Sequence, residues 1–271
     1  MKNGIDISYY QDNIDYDKLA KAVDFVIIRI GRWLKDRDEP YKDSMFEEHY
    51  KQLKARNVPV GAYWYCYAST PERAKEEADW CYKWIKDKQF EYPIFLDIEE
   101  KFQERMGDCS KIAEAFLDPL EKRGYFVGLY SYNSFILNNI NKETRSKYAL
   151  WIARTPKEDN GWTKIGPSIS CLIHQWTFKR VNFECGIKST DLDRDICFRD
   201  DIPELIKEKG LNGFGKVGDI PDLKQKSVKV YNLVVDEYET NKDAYAALAE
   251  VKKTYPNAKV KVTTKKVLTA E

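Results

Sequence analysis

The chain opens as a repeated alternation of short apolar runs and longer amphipathic stretches. Residues 5–8 make the first run and carry Asp6, with Tyr9, Tyr10 and Gln11 just after it. Asp15 or Asp17 is placed to cap a short helix ending near Ala22. Phe25-Val26-Ile27-Ile28-Arg29-Ile30 is nearly continuous in apolar residues, the pattern of a parallel strand covered on both faces. A charge-rich loop is expected over residues 33–42, then a helix over 44–56 with Phe46, Tyr50 and Leu53 on one side. Val60-Gly61-Ala62-Tyr63-Trp64-Tyr65 reads as a third strand, and Thr70-Pro71 starts a helix running to about Lys88. Pro93-Ile94-Phe95-Leu96-Asp97-Ile98-Glu99-Glu100 is the fourth strand. A helix over 110–123, kinked by Pro119 and ended by Gly124, precedes a fifth strand over 126–130 and a short helix around 134–139.

Beyond residue 140 the rhythm changes. Residues 149–153, 172–176 and 192–197 read as strands, while the stretch between the first two holds Pro156, Gly161, Gly166 and Pro167 and no helical period. Five strand–helix units followed by three strands make eight strands, an α/β arrangement able to close into a parallel barrel whose last strands lack covering helices. Chemistry in such barrels gathers at the C-terminal ends of the strands. Asp6, Tyr63, Asp97, Glu99, Tyr130, Trp151, Gln175 and Asp193 all fall in or near that zone.

The acids of the fourth strand carry the sharpest chemistry. Side chains on a strand alternate between faces, so Asp97 and Glu99 point to one side and Ile98 to the other. Two carboxylates so close repel when both are ionised, so one holds its proton. That division suits glycoside hydrolysis, in which one carboxyl protonates the leaving oxygen and the other attacks, orients or stabilises. Composition supports a carbohydrate-handling surface, since 14% of residues are aromatic and sugars stack on aromatic faces. A net charge of +1 with no basic stripe argues against nucleic acid as the partner. No apolar run approaches the ~20 residues that cross a bilayer, and with a strand read from residue 5 no signal peptide is expected. The six cysteines lack C-x-x-C spacing and there are two histidines, so free thiols in a reducing cytoplasm are expected, with no zinc site and no cofactor.

In order along the chain, G-I-D-I-S-Y-Y-Q (4–11), V-G-A-Y-W-Y (60–65), F-L-D-I-E (95–99), G-L-Y-S (128–131), L-W-I-A-R (150–154), H-Q-W-T (174–177) and D-L-D-R-D-I-C-F (191–198) resemble family 25 glycoside hydrolases, muramidases of the bacteriophage endolysin type. The likeness covers residues 4 to about 200. It implies an irregular (β/α)5(β)3 TIM-like barrel and cleavage of the β-1,4 bond between N-acetylmuramic acid and N-acetylglucosamine in peptidoglycan. It matches Glu99 to the proton donor, Asp97 to the second acid, Asp6 to the acid of the first strand and Asp193 to that of the last. Asp191, Asp193 and Asp195 share a face if their segment is extended, and only likeness to V-D-x-N-x-C-Y selects Asp193. Asp195 stands where that pattern often has Asn. Asp97 either attacks the anomeric carbon or orients the substrate's acetamide to do so. Tyr63, Tyr130 and Trp151 are either walls of the sugar groove or core packing, and Gln175 is a further substrate-binding candidate.

Two other readings use the same barrel. A metal-dependent phosphodiesterase would hold Mg or Ca on Asp97, Glu99 and Asp6, but lacks a phosphate-holding glycine loop. A non-catalytic glycan-binding barrel would not need the acids to be kept. The expected domains are a catalytic barrel over 1–202, a linker over 203–226 marked by Gly210, Gly213, Gly215, Gly218 and Pro221, and a small α+β domain over 227–271. That last part, of β-α-β pattern, would bind wall polymer, self-associate, or both, after release of the protein from the cytoplasm to the wall. It is near the ~40-residue limit for independent folding and contains no cysteine or histidine, so neither a disulfide nor a His/Cys metal site can hold it. Its strands offer Val228, Val230, Leu233, Val260 and Val262 and its helix Tyr245, Leu248 and Val251, more apolar surface than one helix covers. The full-length protein is therefore expected to associate through this segment. Sedimentation equilibrium checks it, and a strict monomer whose tail the barrel protects speaks against it.

Overall fold

The computed structural model describes residues 1–215. The rest of the expected linker, the small domain over 227–271 and self-association through it lie outside the described residues. The chain begins with β1 (Lys2–Ile7), α1 (Tyr16–Ala22), β2 (Phe25–Leu34), β3 (Glu39–Lys42), α2 (Phe46–Ala55), β4 (Val60–Tyr65) and α3 (Pro71–Ile85). It continues through β5 (Ile94–Asp97), α4 (Lys101–Met106), α5 (Ser110–Lys122), β6 (Val127–Tyr132), α6 (Asn133–Asn139) and α7 (Lys142–Lys147). The last described elements are β7 (Ala149–Ala153), β8 (Ile173–Lys179), β9 (Asp191–Cys197) and α8 (Ile202–Glu208).

Eight strands close a barrel in the order β1-β2-β4-β5-β6-β7-β8-β9, with β9 returning to β1. All neighbours are parallel except β9, which is antiparallel to both β8 and β1. Helices follow each of the first five barrel strands and none separates β7, β8 and β9, so the expected (β/α)5(β)3 barrel is what forms.

Local chemistry explains the element ends. Asp15 accepts from the Lys18 N–H at 3.1 Å to start α1, and Thr70 accepts from the Arg73 N–H at 3.3 Å with Pro71 in the first turn of α3. Period-two alternation on β2 sends Val26, Ile28 and Ile30 outward to the helix layer and Phe25 and Ile27 into the barrel. Phe25, Tyr92 and Phe95 fill that interior. A Cβ at Gly128 would lie 2.4 Å from the Phe95 ring, so only glycine there lets the ring fill the barrel. All six cysteines are buried free thiols.

Two expectations need correction, and two short helices were not anticipated. The charge-rich stretch over 33–42 is not a loop. β2 runs on to Leu34 and pairs with β3 as an antiparallel ribbon, from Gly31 opposite Lys42 to Leu34 opposite Glu39. β3 lies outside the closed barrel, paired only with β2 and partly exposed along its length, so polar side chains suit it. α4 and α7 are helices of six residues each, too short to show a period in sequence.

The linker does not begin at residue 203. Ile202 and Ile206 of α8 are buried against the aromatic interior, and α8 plugs the N-terminal end of the barrel. Asn212 follows in the left-handed region (φ 52) and is fully buried. Its amide donates to the carbonyls of Phe90 (3.1 Å) and Tyr92 (2.9 Å) and accepts from the Phe126 N–H (2.7 Å). The glycines around it read as a spacer, but they serve turns: Gly213 has φ 85, and a Cβ there would meet the Lys88 carbonyl at 2.3 Å. Asn212→Ala would leave the Phe90, Tyr92 and Phe126 groups unpaired, each costing about 1–3 kcal/mol when stranded. Urea unfolding is expected to show a loss of about 2–4 kcal/mol, whereas a change under about 0.5 kcal/mol would place this segment outside the cooperative unit.

Candidate active site

Each barrel strand delivers side chains to the mouth at its C-terminal end. On β5, Phe95 and Asp97 face inward and Leu96 outward; the alternation then continues past the strand, with Ile98 in the helix layer and Glu99 at the pocket. Pairing sets Tyr65, Asp97, Tyr130 and Trp151 side by side on β4, β5, β6 and β7, and Ala153 beside Gln175 on β7 and β8. Asp6 arrives from β1, Arg29 from β2, Tyr63 from β4 and Asp193 from β9. Together they line a pocket of about 270 Å³, with Tyr10 at its rim. Every residue nominated for the site from sequence is therefore in one pocket.

A hydrogen-bonded chain runs beneath the acids. Tyr130 donates to Gln175 Oε1 at 2.8 Å, and Gln175 Nε2 donates to Asp6 Oδ2 at 2.8 Å. Trp151 Nε1 donates to Asp195 Oδ1 at 2.8 Å. Tyr63 and Tyr130 pack against the Trp151 ring, with centroids 6.0 Å and 4.3 Å away. Trp151 is 1% exposed, so these aromatics form a floor under the acids. Arg29 is buried, donates from Nε to Asp43 Oδ2 at 2.7 Å and lies under the Tyr9 ring at 4.8 Å. Glu100 turns aside: it accepts from Tyr65 at 2.9 Å and caps α4 in a reciprocal box with Gln103.

Asp6, Asp97, Glu99, Asp193 and Asp195 thus share one desolvated end of the barrel. Burial pushes Glu99 up to about 7, with the charges of Asp193 and Glu100 adding to it. Burial likewise raises Asp193 to about 6, helped by Asp191 and Asp159. Asp6 is raised by burial and then by Asp193 and Asp195, against the Gln175 hydrogen bond. Asp97 is raised by burial and by Glu99, and Arg29 opposes this. Burial also raises Asp195, against the Trp151 N–H. A cluster of this kind holds protons at neutral pH, and Glu99 in particular can give one up near pH 7.

The last strand resolves the choice among its three acids. Asp191 is exposed and pairs with Lys179 at 2.7 Å, Asp193 lines the pocket, and Asp195 lies below it, 1% exposed. Asp195, Arg29 and Tyr10 are pocket or under-pocket residues that sequence reading did not nominate. Arg29 had a signal: a charge inside an apolar strand, in phase with Phe25 and Ile27. Tyr10 is 68% exposed at the rim and offers the stacking face that buried Trp151 does not.

Comparison with known proteins agrees with this geometry. Residues 5–182 match the profile of "Glycosyl hydrolases family 25". An autolytic lysozyme of Clostridium acetobutylicum is 26% identical over 151 residues, 55% of this chain and 44% of that protein. A D-alanyl-L-alanine endopeptidase of Streptococcus phage B30 is 26% identical over 253 residues, 88% of this chain and 54% of that protein. The chain thus spans about half the length of these curated relatives. The catalytic domain of an endolysin from bacteriophage P40 of Listeria monocytogenes superposes with a TM-score of 0.61 at 28% identity, covering 76% of this chain and 97% of that one.

The raised acids have a consequence for stability. A carboxyl whose folded pKa lies above its unfolded value binds more protons in the native state between the two. Its contribution is complete below about pH 4 and is lost as pH rises through about 7 for Glu99. Glu99→Gln is therefore expected to melt at a higher temperature than the parent protein at pH 8 and at the same temperature at pH 4. Thermal melts at the two pH values test this, and an unchanged melt at pH 8 would mean that the carboxyl is effectively solvated.

Proposed function

The chain belongs to glycosyl hydrolase family 25, and on that footing we propose that it is a muramidase of the endolysin type. It cuts the β-1,4 bond between N-acetylmuramic acid and N-acetylglucosamine in bacterial peptidoglycan, and its place of action is the cell wall. The observation that carries this reading is the pair Asp97 and Glu99 at one pocket, with Glu99 held up to about 7 by burial first and by Asp193 next.

In this reading Glu99 protonates the glycosidic oxygen as the bond to the anomeric carbon breaks. Asp97 orients the substrate's own acetamide, whose carbonyl oxygen attacks the anomeric carbon. Among the described residues, the buried Oδ1 atom of Asp97 has no hydrogen-bond partner, which fits an acceptor awaiting the acetamide N–H. Glu99, now a carboxylate, then takes a proton from water as the water opens the cyclic intermediate, and the anomeric configuration is retained. Asp6, fixed by Gln175, and Asp193 surround the sugar with negative charge as positive charge develops on it. Tyr63, Tyr130 and Trp151 support these acids from below, and Tyr10 stacks on a sugar at the rim.

Glu99→Gln is expected to lower wall lysis by about 10²–10⁴-fold, the contribution of general acid catalysis. Activity of the parent protein should fall as pH rises through about 7, where Glu99 loses its proton. Mass analysis of soluble fragments from digested peptidoglycan decides the bond. Muramic acid at the new reducing end supports the reading; glucosamine there, or cut peptides on intact glycan, overturns it. So would more than a tenth of the activity surviving in Glu99→Gln.

A further inference from the structure

The acid-lined pocket shares Gln175 with a second, larger hollow of about 430 Å³ at the ends of β6, β7 and β8. Tyr132, Asn133, Arg154, Thr155 and Phe178 line it, together with Gln175. The two hollows are opposite in character. The first is walled by Asp6, Asp97, Glu99 and Asp193, whereas the described residues lining the second include no carboxylate and one ionic group, Arg154.

Arg154 is held in place without being neutralised. Its backbone N–H donates to the Gln175 carbonyl at 3.0 Å, and its Nη1 donates to the Gly166 carbonyl at 2.7 Å and Ser168 Oγ at 3.0 Å. Ser168 is itself fixed, its N–H donating to Asn133 Oδ1 at 2.8 Å. Among the described residues, Nε and Nη2 of Arg154 have no partner, and a guanidinium has five N–H donors arranged to grip a carboxylate. Phe178, 42% exposed, gives the hollow an apolar lip.

We propose that this hollow binds the carboxylate-bearing peptide attached to the muramic acid of the bound wall strand, with Arg154 as the group that recognises the carboxylate. The proposal rests on the muramidase reading, because the branched sugar must then sit over Asp97 and Glu99. Its side branch has to leave the pocket on one side, and a carboxylate turned toward the buried acids is repelled. Crossing Gln175 brings it to an anchored arginine whose free donors face no competing acid.

The test is binding, so that it does not depend on turnover. A soluble four-sugar wall fragment with its peptides, and the same fragment stripped of them by an amidase, are titrated calorimetrically into full-length Glu99→Gln and Glu99→Gln/Arg154→Ala. The peptide-bearing fragment should bind Glu99→Gln more tightly than the bare one. Arg154→Ala should weaken the peptide-bearing fragment by about tenfold, the scale of one charge-assisted contact in a partly open site, and leave the bare one unchanged. Equal affinity of both fragments for Glu99→Gln would overturn the proposal. So would an equal loss on both in the double variant, which would assign Arg154 to holding the 154–168 loop. Glu99→Gln/Ser168→Ala, which loosens that loop and keeps the guanidinium, should retain the preference, and its loss there would also count against Arg154. Cleavage of the same fragments by the parent protein is read separately by mass. Absence of cleavage with an intact Arg154-dependent preference would sink the hydrolase reading and leave this site standing.

Discussion

Five carboxylates crowded at one end of a barrel, three of them buried and Glu99 and Asp193 half-buried, are the constraint on which the rest of this structure depends. Asp6, Asp97, Glu99, Asp193 and Asp195 cannot all ionise in that setting, and Arg29 beside them is already engaged by Asp43. The surroundings supply donors where they can: the Gln175 amide to Asp6 and the Trp151 indole to Asp195. Protons supply the remainder, and a pocket that must store protons has a donor ready for acid catalysis. The destabilisation this implies is typical of functional sites, where local arrangement is held against its own energy by the packing around it.

That packing is the barrel itself. β9 runs antiparallel between β8 and β1, so that no sheet edge is left in the ring and the last strand's acids come to lie beside Asp6. A parallel last strand would need a covering crossover, and none stands between β8 and β9. At the opposite end α8 and Asn212 seal the aromatic interior, completing hydrogen bonds that the ends of the strands leave open. One end of the ring is thus closed and apolar, and the other is open and acidic.

The two hollows at the open end differ in charge. Carboxylates concentrate where a sugar ring would develop positive charge, while the neighbouring hollow carries an arginine and no acid. Gln175 separates them, with its side chain bound to Tyr130 and Asp6 and its backbone carbonyl to Arg154. On the proposed reading, that arrangement suits a polymer of sugars with acidic branches better than a plain polysaccharide.

Much of this was legible in the sequence because it follows from short-range periodicity. Alternation along β5 places Asp97 and Glu99 on one side whatever surrounds them, and the change of rhythm after residue 140 reports three strands without helices. Caps at Asp15 and Thr70 depend on side chains within three residues and were equally readable. What lay beyond the sequence was decided by contacts between distant segments. Three aspartates in extended chain look alike, and only the closure of β9 onto β1 separates exposed Asp191 from pocket-lining Asp193 and buried Asp195. Gly210 and Gly213 read as part of a spacer, because their positive φ and the tight approach of Gly213 to Lys88 exist only once α8 has docked. Arg29 showed only a charge set inside an apolar strand, and Arg154 gave no local sign of its role. A cation's meaning is set by the charges folded against it, and those arrive from strands far away in the chain.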